Sequence, residues 1–184
     1  MRAQQSKDKT RELDALLKSF REEKAYARLV DITSSLARFI ENNPDLDPAP
    51  RVLSAYVERF KKEKDSGNLE LIRLVIQDVV SIKTELASQE LLDIFVDMLK
   101  KENEYARLIA IAEEIGDVVH INPKLASFDL VKSLGEKYRQ VKADPKIEAN
   151  ELEVVMGNVL TKLIIRTAIE NPNGHSEDGR NPLR

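Results

Sequence analysis

Apolar residues recur at helical spacing along almost the whole chain, and strand-like alternation is nearly absent. Leu13, Leu16, Leu17 and Phe20, for example, stand at i, i+3, i+4 and i+7, which places them on one face of a helix. Segments rich in Pro, Asn, Asp or Gly interrupt this periodicity, as is typical of helix ends. The pattern predicts eight helices, at about residues 9–22, 24–41, 50–64, 69–86, 89–101, 103–119, 128–142 and 151–169.

Three of the predicted helices and the C-terminal residues have distinctive sequence features. The fourth and eighth helices are apolar on nearly all sides, so we expect both to be central and buried. Ser88 is a good N-cap for the fifth helix, because a serine hydroxyl can accept a hydrogen bond from the first helical turn. Residues 171–184 have no periodicity, and we expect them to form a disordered tail.

The chain contains an internal duplication. Tyr-Ala-Arg-Leu occurs at residues 26–29 and again at residues 105–108, which is 79 residues later. Residues 14–46 and 93–125 align without a gap and share ten identities in 33 positions. Residues 1–170 are therefore predicted to form one all-α repeat domain of four antiparallel helix pairs, with internal halves at about 9–86 and 88–169.

The helix pairs resemble a known kind of repeat. The stretch "LLDIFVDMLKKENEYARLIAIAEEIGDVV" is similar to a HEAT or armadillo-type unit, and "VLSAYVERFKKEKDSGNLELIRLVIQDVVSI" has the same rhythm, with Arg73 where Arg107 stands. The fourth pair departs from the pattern, with Met156 near that place. The resemblance implies an α-solenoid whose extended surface binds other proteins. The alternative architecture is a tandem of two four-helix bundles made by duplication.

The composition and charge of the chain exclude several classes of function. A net charge of −3 gives no overall attraction to nucleic acid, and the lack of cysteine excludes disulfides and thiolate catalysis. No apolar run approaches the 18 residues of a membrane span, and the polar N-terminus lacks the apolar region of a secretory signal. We therefore expect a cytoplasmic protein with no membrane partner.

The repeated motif offers two arginines as candidate partner-binding residues. Arg28 and Arg107 each follow a tyrosine by two positions, and residues at i and i+2 lie on different helix faces. This spacing favours Tyr26 and Tyr105 packing inward with the arginines outward. The arginines either cover the rings and pair with carboxylates, or together anchor an acidic peptide through their planar groups of donors.

Basic residues also cluster near the C-terminal ends of the first helix of each pair. In a solenoid these clusters would align as a positive rim for an anionic partner, either protein or nucleic acid. They could instead only complement the helix dipoles. The clusters are Lys18 and Arg21; Arg59, Lys61, Lys62 and Lys64; Lys100 and Lys101; and Lys137, Arg139 and Lys142.

No group of residues in the sequence suggests catalysis. The acidic residues Glu113, Glu114 and Asp117 lack a complementary histidine, and neither His120 nor His175 has catalytic company nearby. We expect no metal or cofactor, and predict a noncatalytic scaffold or adaptor that binds a peptide or helix of a partner. Two alternatives stay open: polyanion binding through the basic rim, and an all-α enzyme or ligand-binding protein with a pocket between the two four-helix sets. Self-association is open as well.

Overall fold

The computed structural model describes residues 2–143 and 150–170, and every regular element within these ranges is helical. The prediction of an all-α fold is confirmed for this part of the chain. The predicted disordered tail at residues 171–184 lies outside the described residues. The α-helices are α1 Arg2–Glu22, α2 Tyr26–Asn42, α3 Ala49–Phe60, α4 Ser66–Ile82, α5 Gln89–Lys101, α6 Tyr105–Ile121, α7 Phe128–Lys142 and α8 Asn150–Glu170.

The chain divides into two compact units, with the boundary between Lys83 and Thr84. In the first unit, α1 packs on α2 and α3 packs on α4, while α1 also lies beside α3 and α2 beside α4. The second unit repeats this arrangement with α5/α6 and α7/α8 as the pairs, α5 beside α7 and α6 beside α8. Each unit is therefore a two-layer stack of two helix pairs, and the four predicted pairs are present.

Side-chain caps set the beginnings of three helices. The hydroxyl of Ser88 accepts a hydrogen bond from the Leu91 N–H at 3.3 Å, which confirms its predicted role as the cap of α5. Ser127 caps α7 in the same way, through the Leu130 N–H at 3.2 Å. Asp65 caps α4 through the Asn68 N–H at 2.9 Å, and α4 accordingly begins earlier than its apolar pattern predicts.

The duplication continues past the helices into the loops. A 3-10 turn follows α2 at Pro44–Leu46, and another follows α6 at Pro123–Leu125. Proline opens both turns, where its fixed φ and missing N–H are tolerated. The aligned Asn-Pro and Leu residues of the two halves therefore build the same local structure.

The helices with the most apolar sequences are not fully buried. Leu74 and Ile82 of α4 are exposed, and so are Val154, Ile165 and Ile169 of α8. Each of these helices nevertheless packs on two neighbours and supplies fully buried residues to the core of its unit, so the expectation that both are central and buried holds for part of each helix. In the first unit, the buried Phe20 and Tyr56 rings also meet in the core, with centroids 4.8 Å apart.

Candidate functional site

A glutamate organises each of three described turns between paired helices. Glu23, Glu63 and Glu102 each stand two residues before the N-cap of the following helix. One carboxylate oxygen of each accepts hydrogen bonds from the next two backbone N–H groups, at 2.8 to 3.1 Å. These bonds hold the pKa of the Glu23 carboxyl below its usual value, with the Ala25 N–H contributing most. The three glutamates therefore hold the backbone of their turns in place through the same pair of hydrogen bonds.

In the first unit, Arg59 ties α3 to the end of α1. Its guanidinium donates to the Phe20 carbonyl and to the Glu23 carbonyl, the latter at 2.6 Å. It also contacts the second carboxylate oxygen of Glu63, from Nη2 at 3.3 Å, and lies 5.0 Å from the Phe20 ring centroid. Only 10% of the Arg59 side chain is exposed. Arg59 thus satisfies carbonyls that a helix C-terminus leaves without intrahelical partners.

A cleft of about 630 Å³ lies beside these turns, within the first unit. Nine of its twelve lining residues are charged, four basic and five acidic, so charges of both signs border it. The lining residues are Arg21, Glu22, Glu23, Lys24, Tyr26, Ala55, Glu58, Arg59, Lys62, Glu63, Asp65 and Asn68.

Two uncharged residues of this cleft stand out. Tyr26 is 54% exposed, and its ring lies over Gly67, where an added Cβ would be 3.9 Å from Cδ2 of the ring. Asn68 is only 7% exposed, and its side-chain Oδ1 has no hydrogen-bond partner among the described residues. Burying such an oxygen unpaired costs about 1–3 kcal/mol. Asn43 and Thr167 also bury an unpaired oxygen, but neither lines the cleft.

The structure places the two predicted arginines differently. Arg28 is 78% exposed and lies 3.8 Å from the Glu23 carboxylate. The Arg107 side chain is only 10% exposed and donates from Nε to Glu102 at 2.6 Å. The expected orientation, with tyrosine inward and arginine outward, is therefore wrong on two counts. Tyr26 is exposed in the first unit, and the arginine is the buried member in the second.

Lys137 occupies the place in the second unit that Arg59 has in the first. Its ammonium donates to the Glu102 carbonyl, the counterpart of the Glu23 carbonyl, and lies 3.4 Å from the Asn103 side chain. Burial lowers the pKa of Lys137, while the nearby Glu102 charge opposes that effect. Arg59 and Lys137 therefore both serve the internal structure of their own unit.

The other basic candidates lie at the surface. Lys61, Lys62, Lys100, Lys101 and Arg139 are all exposed, and of these Lys62 lines the cleft. Lys100 lies 3.9 Å from Asp97, and Arg139 donates to the Gly135 carbonyl at 3.3 Å. Their alignment along one positive rim stays a prediction.

Sequence reasoning missed Asn68 and the three turn glutamates. A signal for the glutamates exists, because the segments Glu-Lys-Ala, Glu-Lys-Asp and Glu-Asn-Glu each precede a helix by the same distance. No comparable signal marks Asn68, whose burial depends on how α4 packs against α3. In the sequence, Asn68 is only the polar residue before Leu69, the first apolar residue of the predicted helix.

The described residues contain neither a metal-ligand cluster nor a helix suited to span a membrane. Within the two described ranges, no group of three or more histidine, aspartate or glutamate side chains is arranged to hold a metal ion. His120 lies exposed in the last turn of α6, and His175 is outside the described residues. Among the described helices, none combines the length and apolar character needed to cross a membrane.

Comparison with known proteins gives no relative for this chain: no family model, no curated protein and no solved structure matches it. The HEAT and armadillo resemblance therefore stays a prediction, and a functional proposal has to rest on the cleft itself.

Proposed function

We propose that the protein is a noncatalytic interaction module, and that the cleft of its first unit binds a short segment of a partner polypeptide. The observation that carries this proposal is the pairing of an exposed aromatic ring, Tyr26, with a buried carboxamide, Asn68, that lacks a partner for its oxygen among the described residues. Tyrosine supplies rigid contact area at low entropic cost, and a carboxamide matches the hydrogen-bonding groups of a peptide.

The size and charge of the cleft support this assignment. Its volume of about 630 Å³ falls within the roughly 300–1,000 Å³ typical of ligand sites. Its five acidic and four basic residues do not favour a polyanion, which would meet repulsion from the carboxylates. An acidic peptide anchored by two arginines is also less favoured, because Arg107 is engaged by Glu102.

Several charged residues of the cleft are already engaged in hydrogen bonds within the protein. Arg59 donates to two carbonyls and contacts Glu63, while Glu23 and Glu63 each accept two backbone N–H groups. These groups hold the turns in a fixed shape, so the cleft is preorganised and a bound segment does not have to order it.

A peptide selection tests the proposal. The full-length chain is used to select binders from a random twelve-residue peptide library, and the selected peptides are titrated by fluorescence anisotropy. We expect Tyr26→Ala to weaken binding at least about tenfold, because interface tyrosines often dominate binding energy. Tyr105→Ala is the matched control, since Tyr105 is the counterpart of Tyr26 but lies in the other unit, and it should change the affinity less than about threefold.

Two results would contradict the proposal. One is a set of peptides that bind the Tyr26→Ala variant as tightly as the unmodified protein. The other is failure to select any peptide while heparin binds with a steep salt dependence that is lost on changing Lys61, Lys62, Lys100 and Lys101 to Glu. The second result would favour the basic-rim alternative. Circular dichroism melting curves establish that each variant remains folded.

A further inference from the structure

We infer that the occupant of the cleft is an extended segment carrying both acidic and basic side chains, rather than a helix or a segment of one charge sign. This inference rests on the proposed function and names the class of partner segment that the cleft selects. It follows from the division of the nine charged lining residues into those engaged within the protein and those that point to solvent.

Four of the nine charged residues are engaged internally. Arg59, Glu23 and Glu63 are bound to backbone groups of the turns, Arg59 also contacts Glu63, and the Asp65 carboxylate accepts the Asn68 N–H as the cap of α4. The side chains of Arg59, Glu23 and Glu63 are also largely or partly withdrawn from solvent. A ligand would have to break these bonds to use their charges, so they do not set its charge preference.

The remaining five charged residues are exposed and include both signs. Arg21, Lys24 and Lys62 are basic, and Glu22 and Glu58 are acidic. A segment of uniform charge would meet at least two like charges in either case, and like charges brought together across an interface oppose binding. A segment with both signs can satisfy both groups at once.

The lining also discriminates against a helical occupant. Helices dock by laying an apolar face into an apolar groove, whereas Tyr26 and Ala55 are the only members of this lining that are neither charged nor amide-bearing. An extended segment sends successive side chains to opposite sides, so neighbouring acidic and basic residues can reach different walls. It also leaves main-chain groups free to pair with the Asn68 carboxamide, whereas a helix uses its own internally.

Charge exchange between protein and peptide tests this inference. The probe is a twelve-residue peptide selected as above, together with versions in which each charged residue is replaced by one of opposite sign. We expect Glu58→Lys and Lys62→Glu each to weaken binding about tenfold, as close charge pairs at interfaces do. A peptide change from basic to acidic should restore binding to the first variant, and the opposite change at another peptide position should restore the second.

Matched controls lie outside the cleft. Glu136→Lys and Lys101→Glu change exposed residues of the second unit by the same charges, and each should alter the affinity less than about twofold. If the two protein variants are rescued only by peptide changes of one sign, or if a helix-stabilised form of the peptide binds more tightly, the inference is overturned while peptide binding stands. If Tyr26→Ala leaves binding unchanged, the proposed function itself fails.

Discussion

The turn between α1 and α2 and the turn between α5 and α6 share a glutamate and the Tyr-Ala-Arg-Leu segment that follows, yet they differ in the side chains that they expose. Glu23 and Glu102 make the same two backbone hydrogen bonds, and each is followed five residues later by an arginine. The arginine in the first turn is 78% exposed, whereas its counterpart in the second is 10% exposed. The shared residues therefore fix the backbone of the turn but not the side-chain surface that it presents.

The difference follows from the helix that packs against each turn. In the first unit, the broad guanidinium of Arg59 reaches the Glu23 carbonyl and lies close enough to influence the Glu23 carboxyl. In the second unit, the compact ammonium of Lys137 takes the corresponding carbonyl, and Arg107 takes the carboxyl of Glu102. Arginine offers five donors in a planar group and lysine three at one point, so Arg59 serves several acceptors and Lys137 fewer.

The largest expected effect is from removing Arg59. Arg59→Ala removes the buried donor to two carbonyls and the ion-pair partner of Glu63, and we expect it to lower the free energy of unfolding by about 3–5 kcal/mol. Lys137→Ala should cost less, about 1–3 kcal/mol, because it removes fewer hydrogen bonds. Urea unfolding followed by circular dichroism measures both. Equal losses for the two variants would show that the exchange of arginine for lysine does not explain the difference between the turns.

The next largest effect is expected from removing the arginine of each repeated Tyr-Ala-Arg-Leu segment. Arg107→Ala breaks a short and mostly buried ion pair, so we expect a loss of about 2–3 kcal/mol in unfolding free energy. Arg28→Ala removes a long contact at an exposed site and should cost less than about 0.5 kcal/mol. The same urea experiment serves here, with and without 0.5 M sodium chloride. If the Arg28 variant loses as much stability as the Arg107 variant, the two turns are energetically alike despite their different exposure.

These comparisons also show which parts of the fold could be predicted from the sequence. The all-α fold and the helix pairs follow from periodicity, and α5 and α7 have their predicted bounds because a serine cap marks each start. Periodicity predicts that α3 continues to Lys64, but the helix ends at Phe60. It ends there because Glu63 binds the backbone of the following turn. Local pattern could not reveal this hydrogen bond.

The contacts of the candidate site residues were even harder to predict from the sequence than the helix ends. Arg59 and Lys137 were selected as cations at helix C-termini, but Lys137 lies five residues before the end of α7, and the Glu23 and Glu102 carbonyls that they bind belong to turns distant in the sequence. Such contacts join residues about 35 positions apart, and no one-dimensional pattern encodes them. Tyr26 and Tyr105 both open an identical Tyr-Ala-Arg-Leu segment, yet Tyr26 is exposed and Tyr105 is half-buried.

A smaller effect is expected from replacing Asn68, which lines the cleft beside the first turn. Asn68→Leu replaces a buried carboxamide, whose oxygen has no partner in the described structure, with an apolar side chain of similar size. We expect the variant to be more stable by about 1 kcal/mol in urea unfolding, and to bind the selected peptides at least about tenfold more weakly. Lower stability together with unchanged binding would mean that Asn68 supports the packing of α4 rather than the cleft.

The smallest effect is a difference in pH dependence between the two turns. Partial burial raises the pKa of the Glu102 carboxyl, but hydrogen bonds from the Glu104 N–H, the Arg107 side chain and the Asn103 N–H outweigh it, so the pKa lies below its usual 4.5. A carboxyl with a lowered folded-state pKa stabilises the fold above its unfolded-state pKa, and this contribution is lost as the pH falls through the folded-state value. Glu102→Gln should therefore cost roughly 1 kcal/mol of unfolding free energy at pH 7, because charge-assisted hydrogen bonds become neutral ones, and this gap to the unmodified protein should close as the pH falls through the folded-state pKa of Glu102. Glu23→Gln should show a smaller gap, since its arginine stands 3.8 Å away and exposed. Urea unfolding between pH 3 and pH 7 measures both gaps, and a larger gap for Glu23 would mean that backbone hydrogen bonds, rather than the arginine, set the strength of each turn.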